Sequence, residues 1–158
     1  MKDYYSIPIK FNQLISGKKL ETVEVRKAVH QNIRFIIKSY TLSYKFDPNF
    51  GCMLNKFHAR TPPQNKSERA WRDKIREDLQ KNLKSILSEY ESRITISDVF
   101  VELKDPTIQE KKSLLKVKVE VKGQFNLGRK EKFYYPDSEI DEDAKEIFPL
   151  VIPCGKGQ

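Results

Sequence analysis

The chain has 158 residues, 38% hydrophobic and 33% charged, which fits one domain with a modest core and a small stability margin. Its net charge of +8 permits an anionic partner without choosing one, because lysine and arginine are spread along the chain and cluster only briefly, as at Lys111-Lys112. No stretch is long and apolar enough to span a bilayer, Met1 to Tyr5 carries no apolar run behind a basic start, and Cys52 and Cys154 lack metal or redox spacing, so the expectation is a cytoplasmic protein with reduced thiols.

Tyr4 to Ile15 reads as an extended arm, since Ile7 precedes Pro8 and is pushed to extended geometry; Phe11, Leu14 and Ile15 are its apolar anchors and Gly17 breaks the chain. A first helix is predicted from about Glu21 to Ser39, where Val25, Val29, Ile33, Ile36, Ile37 and Tyr40 recur at spacings of three and four. His30 lies beside that stripe and reads as a surface or boundary histidine. Next, Asp47-Pro48-Asn49 followed by Gly51 is turn chemistry, flanked by Tyr44, Phe46 and Phe50. This stretch is expected to bury its aromatics, with Gly51 serving a positive φ or a close backbone approach.

Ala59 to Lys66 contains Pro62-Pro63 and is a loop. A second helix follows, capped by Asn65 with Glu68 or by Ser67 alone, with Trp71, Ile75, Leu79, Leu83, Ile86, Leu87 and Tyr90 as its stripe. It ends near Glu91-Ser92-Arg93. Two strands come next: Ile94 to Leu103, and a segment in which Leu115, Val117, Val119 and Val121 alternate with Lys116, Lys118, Glu120 and Lys122. Asp105-Pro106 lies in the loop between them. Phe133 to Tyr135 can add a strand. Beyond it the chain turns acidic and ends in the apolar, proline-flanked run Phe148 to Pro153. The predicted architecture is α+β: two amphipathic helices on a small antiparallel sheet, with an extended N-terminal arm and an irregular C-terminal tail. Residues 1–135 form one domain (arm 1–16, helices and hairpin 20–122) and 136–158 the tail.

The chain offers little chemistry. It has no glycine-rich phosphate loop, and a metal site from His30, Cys52 and His58 has no spacing behind it. Neither cofactor nor metal is predicted. A peptidoglycan hydrolase would have to recruit Glu77, Glu89 or Glu91, and no apolar pocket that tunes one of them is visible. A nucleic-acid module would use the face bearing Lys116, Lys118 and Lys122, from which aromatics are missing.

Three features in order carry a resemblance: the arm Tyr5-Ser6-Ile7-Pro8-Ile9-Lys10-Phe11; the turn Phe46-Asp47-Pro48-Asn49-Phe50-Gly51-Cys52 after an apolar helix; and a helix ending in Glu91-Ser92-Arg93 before two strands. Over Tyr4 to Val121 the chain resembles the TssE family of type VI secretion baseplates, in its Bacteroidetes-like variant, which is similar to the sheath initiator of contractile phage tails. The family's Glu-Pro-Arg triplet is matched by Glu91 and Arg93, with Ser92 in place of proline. The resemblance implies a structural subunit without catalysis. It would be bound to TssF and TssG of the wedge, with TssK as a further neighbour, and strands of the sheath proteins TssB and TssC would add to its sheet. It implies a wedge interface at Glu91 and Arg93, a turn motif at Phe46, Asp47, Pro48, Phe50 and Gly51, and a strand platform at Val117, Val119 and Val121. Strand addition requires an open sheet border, because unpaired N–H and C=O groups are the binding surface.

Overall fold

A computed structural model describes residues 4–6, 9, 11–57, 67–104, 114–126, 130–137, 139–140 and 148–151. The strongest periodic segment becomes the longest element. Glu68–Tyr90 forms helix α3, started by Ser67, whose hydroxyl accepts from the Ala70 N–H at 3.2 Å. Glu68–Arg72 and Asp73–Arg76 ion pairs line its first turns. Its stripe of Trp71, Ile75, Leu79, Leu83, Ile86 and Leu87 is buried; full burial of each leucine stabilises the fold by about 1.5–3 kcal/mol. Asn65 and the loop at Ala59 to Lys66 lie outside the described residues.

The earlier helix, α2, spans Val25–Lys38 and is shorter than predicted. Thr22–Val23 form strand β2, pairing with Tyr4–Tyr5 (β1), so the chain becomes helical only after Glu24. The arm is likewise not extended throughout: Phe11–Ile15 is a short helix, α1. A proline restricts the residue before it and not those after it, and the Ser16 hydroxyl and the Lys18 N–H bond the Asn12 and Gln13 carbonyls to close the turn.

Strand β3 (Ile94–Lys104) and strand β4 (Leu114–Phe125) form the hairpin, in antiparallel register from Ile94 opposite Phe125 to Lys104 opposite Lys116. The register slips at Ser97, which leaves one extra residue in β3, and Gly123 sits opposite Ile96 just before the slip. A Cβ at Gly123 would meet the Thr95 carbonyl oxygen at 2.4 Å, so only glycine fits this crossing. The loop around Asp105-Pro106 is outside the described residues.

The other border of β4 takes two short strands. Lys132–Tyr135 (β5) pairs with Val121 to Gln124, and Phe148–Val151 (β6) pairs with Leu114 to Val117. The tail expected to be irregular therefore contributes a strand to the sheet. Pro149 tolerates that place because β6 lies at an edge. The result is the expected α+β fold, with α2 and α3 over one face of a four-stranded sheet and a separate two-stranded ribbon.

Two local expectations fail. His30 is not a boundary residue: it is 1% exposed, with its ring 5.0 Å from Phe133 and 5.4 Å from Tyr135. The β5 aromatics that cover it come from a hundred residues downstream, beyond the reach of helical periodicity. Phe46 is fully exposed rather than buried. Phe50 takes the inward place in that turn and packs against Phe35, Tyr44 and Tyr90 with ring centres 5.0–5.6 Å apart.

Candidate interaction surface

The end of α3 is a closed polar knot. Glu91 is 1% exposed and receives Arg93 Nε and Nη2 in a bidentate pair, and Asn32 Nδ2 donates to it from α2 at 2.9 Å. The Arg93 guanidinium also lies 5.1 Å from the centre of the Tyr4 ring, which brings in β1. Asn126, at the end of β4, bonds the carbonyls of Ser92 and Arg93. The bond at position 92 uses the carbonyl, which serine and proline both carry. Glu91 thus meets its partners within the chain, and Arg93 keeps 21% of its side chain exposed.

The turn braces this knot from the other side. Asp47 Oδ1 accepts from the Asn49 N–H, and its Oδ2 accepts from the Tyr90 hydroxyl at 2.7 Å. That bond pushes the Tyr90 phenol up to about 12. The Leu42 N–H donates to the Pro48 carbonyl, and Cys52 bonds Ser39 across the turn. Gly51 meets both expectations at once: its φ is +102°, and a Cβ there would lie 2.6 Å from the Ser39 oxygen. Burial pushes the Cys52 thiol up to about 12, which leaves it inert. Among the described residues no three His, Cys, Asp or Glu side chains gather as a metal site would require.

Val117, Val119 and Val121 are buried against the helices. What the sheet offers to another chain is its backbone borders. On the β4 side, β5 and β6 leave Lys118 to Glu120 without a described strand. On the β3 side no described strand pairs at all. Two α3 side chains cover its first half: Lys84 Nζ donates to the Ser97 carbonyl at 2.7 Å and Gln80 Nε2 to the Val99 carbonyl at 2.9 Å. Val99 therefore aims its backbone groups away from β4, and strand alternation aims those of Val101 and Leu103 the same way. Beside these two residues α3 and β3 part to leave a groove of about 560 Å³, walled by Arg69, Arg72 and Arg76 on the helix and by Val101, Glu102 and Leu103 on the strand.

Sequence reading did not single out the helix side of this groove. The available signal was the spacing of Arg69, Arg72, Arg76, Gln80 and Lys84, three or four residues apart along one flank of α3. The open face of the sheet was also misjudged, because aromatics are present there. Phe100 and Tyr134 are exposed beside Lys122, whose ammonium lies 4.8 Å from the Phe100 ring centre. Period-two alternation puts Phe100 outward between Val99 and Val101. Lys118 on the same face is tied to Glu120 at 2.7 Å.

This arrangement, a small α+β domain with closed polar clusters and a sheet border that no described strand pairs, has known relatives. The sequence model of the baseplate wedge protein gp25 family matches residues 23–127, from β2 through both strands of the hairpin and well over half of the chain. The chain belongs to the baseplate wedge protein gp25 family and is a structural baseplate subunit. No curated protein matches the chain. Among solved structures, a Geobacter sulfurreducens protein described as a tail lysozyme superposes with a TM-score of 0.52 at 13% identity, over 85% of this chain and 96% of that one. A chain of the baseplate complex from the type VI secretion system gives a TM-score of 0.45 at 17% identity, over 78% and 91%. The first of these likenesses establishes a shared fold.

Proposed function

We propose that the chain is the TssE-type subunit of a type VI secretion baseplate, which binds the wedge and starts sheath polymerisation by accepting strands from the sheath proteins. The observation that carries this reading is the family match across β2 to β4. The border of β3 supports it, since no described strand pairs there and strand addition needs unpaired backbone groups. TssF and TssG are the proposed wedge partners, TssB and TssC the sheath partners, and TssK a further neighbour. In this reading residues 1–135 act as one unit, to which β6 of the tail adds its strand. The wedge contact is proposed at the surface that the Glu91–Arg93 pair shapes together with the turn Phe46 to Gly51: Arg93 supplies its exposed part, Phe46 an uncovered ring and Glu91 the anchor beneath. Val117, Val119 and Val121 hold the sheet to the helices so that its border stays in register.

The role is proposed to be non-catalytic and cytoplasmic; among the described residues no helix is long and apolar enough to cross a membrane. The groove's carboxylates Glu68, Asp73 and Glu102 lie within 4 Å of Arg72, Arg76 and Lys104. A glycosidase's proton donor needs an apolar pocket in place of such cations. Deleting the gene in a strain carrying fluorescent sheath tests the reading: sheath foci should vanish and return on complementation. Normal sheath assembly in the deletion strain would overturn it. A peptidoglycan zymogram should show no clearing.

A further inference from the structure

We infer that the sheath strand adds to the outer border of β3 at Val101 and Leu103, inside the groove beside α3, and that it carries an acidic side chain that meets Arg69. The inference rests on the strand-acceptor reading above and specifies which border is used and what the partner brings. Three observations favour this stretch over the rest of the β3 and β4 borders. Most of β4's far border is occupied by β5 and β6, and the gap at Lys118 to Glu120 exposes only the backbone groups of Val119, too few to hold a strand. The first half of β3's border is capped by Lys84 and Gln80. The remaining stretch is flanked by a groove of about 560 Å³, which gives an incoming backbone room to lie against Val101 and Leu103.

The groove's charges point to the chemistry of the guest. Glu68, Asp73 and Glu102 are neutralised by Arg72, Arg76 and Lys104. Arg69 lines the same groove, and no described carboxylate pairs with it. It is the lining cation left over, and a carboxylate on the added strand completes it. A bidentate guanidinium–carboxylate contact is directional, so it also fixes the register of a strand that backbone bonds alone would let slide.

The test measures binding of the full-length chain to its cognate TssB–TssC sheath heterodimer by biolayer interferometry, with co-purification of TssF and TssG as a second readout. Leu103→Pro removes an outward N–H without touching the ladder to β4, and it should weaken sheath binding by at least about tenfold. Arg69→Glu reverses an exposed charge and should weaken it by roughly tenfold, whereas Lys122→Glu on the open face should leave it unchanged. All three should keep the wedge proteins. If Leu103→Pro fails to fold by circular dichroism, Arg69→Glu decides. Wild-type sheath affinity in the folded variants, or loss with Lys122→Glu alone, would place the strand elsewhere and overturn the inference while leaving the acceptor reading intact. If the wild-type chain binds no sheath heterodimer, the acceptor reading fails, and this placement with it.

Discussion

The two ends of α3 treat polar groups in opposite ways. At its C-terminal end, Glu91, Arg93, Asn32 and Asn126 satisfy one another, and the carboxylate is almost wholly buried. At its N-terminal end, Arg69, Arg72 and Arg76 stand over a stretch of strand whose outward backbone no described strand completes. A buried carboxylate must find its partners inside the fold, or folding leaves an unpaired charge. An edge strand can stay open because water serves it until another chain arrives. Charged side chains at the first end therefore hold the structure together, while at the second Arg72 and Arg76 are paired with Glu68 and Asp73 and Arg69 is available for recognition.

The sharpest way to break this contrast is Glu91→Ala. It strands the partly covered guanidinium of Arg93 and removes the acceptor for Asn32, and it should cost about 3 kcal/mol in urea unfolding. A cost no larger than that of Arg69→Ala, which should fall within about 0.5 kcal/mol of wild type, would dissolve the distinction. Gly51→Ala comes next. It forces a side chain into a φ of +102° and against the Ser39 carbonyl, so it should cost about 2 kcal/mol and loosen the Asp47–Tyr90 brace on the closed end. The same unfolding series reads it.

Gln80→Leu sharpens the comparison from the open end. It removes the donor that covers the Val99 carbonyl and lengthens the free border by one residue pair. The loss should be about 1 kcal/mol, with more self-association in sedimentation velocity as concentration rises. A variant that stays monomeric at every concentration would mean that α3, and not the missing donor, blocks that half of the edge.

These contrasts were unevenly legible in the sequence. Helix α3 and strand β4 are, because their periods are clean and nothing long-range competes with them: Leu79 and Leu83 are buried where period 3.6 puts them, and Val117 to Val121 where period two does. Gly51 is too, since Asp-Pro-Asn before a glycine leaves the backbone few options. Neither the pairing of Glu91 with Arg93 nor the burial of Glu91 follows from their spacing. The burial depends on Asn32, Tyr4 and Asn126 arriving from three other elements. His30 and β6 fail for the same reason, since β5 covers the first and β4 pairs with the second. The groove was missed because it belongs to two elements at once. The arginines of α3 alone look like a solvated helix face, and only their distance from Val101 and Leu103 gives them a role.

The smallest effect belongs to the gap on the β4 border. Lys118 and Glu120 are paired there but 38% and 44% exposed, so the pair should be worth at most about 0.5 kcal/mol after solvent screening. The hydrogen bond from Lys118 holds the Glu120 carboxyl below its ordinary range, and Glu120 in turn raises Lys118. The signs follow from those directions. Glu120's contribution is present at neutral pH and lost as pH falls through its lowered value, while Lys118's is lost only as pH rises past the ordinary lysine range. Glu120→Gln should therefore melt slightly below wild type at neutral pH and match it in strong acid. In molar salt the difference should close at all pH values. A lysine on a short vacant stretch of border also discourages pairing there, so the variant should leave sheath affinity untouched. If it bound a second strand instead, both borders of the sheet would be acceptors, and the two ends of α3 would differ in stability but not in function.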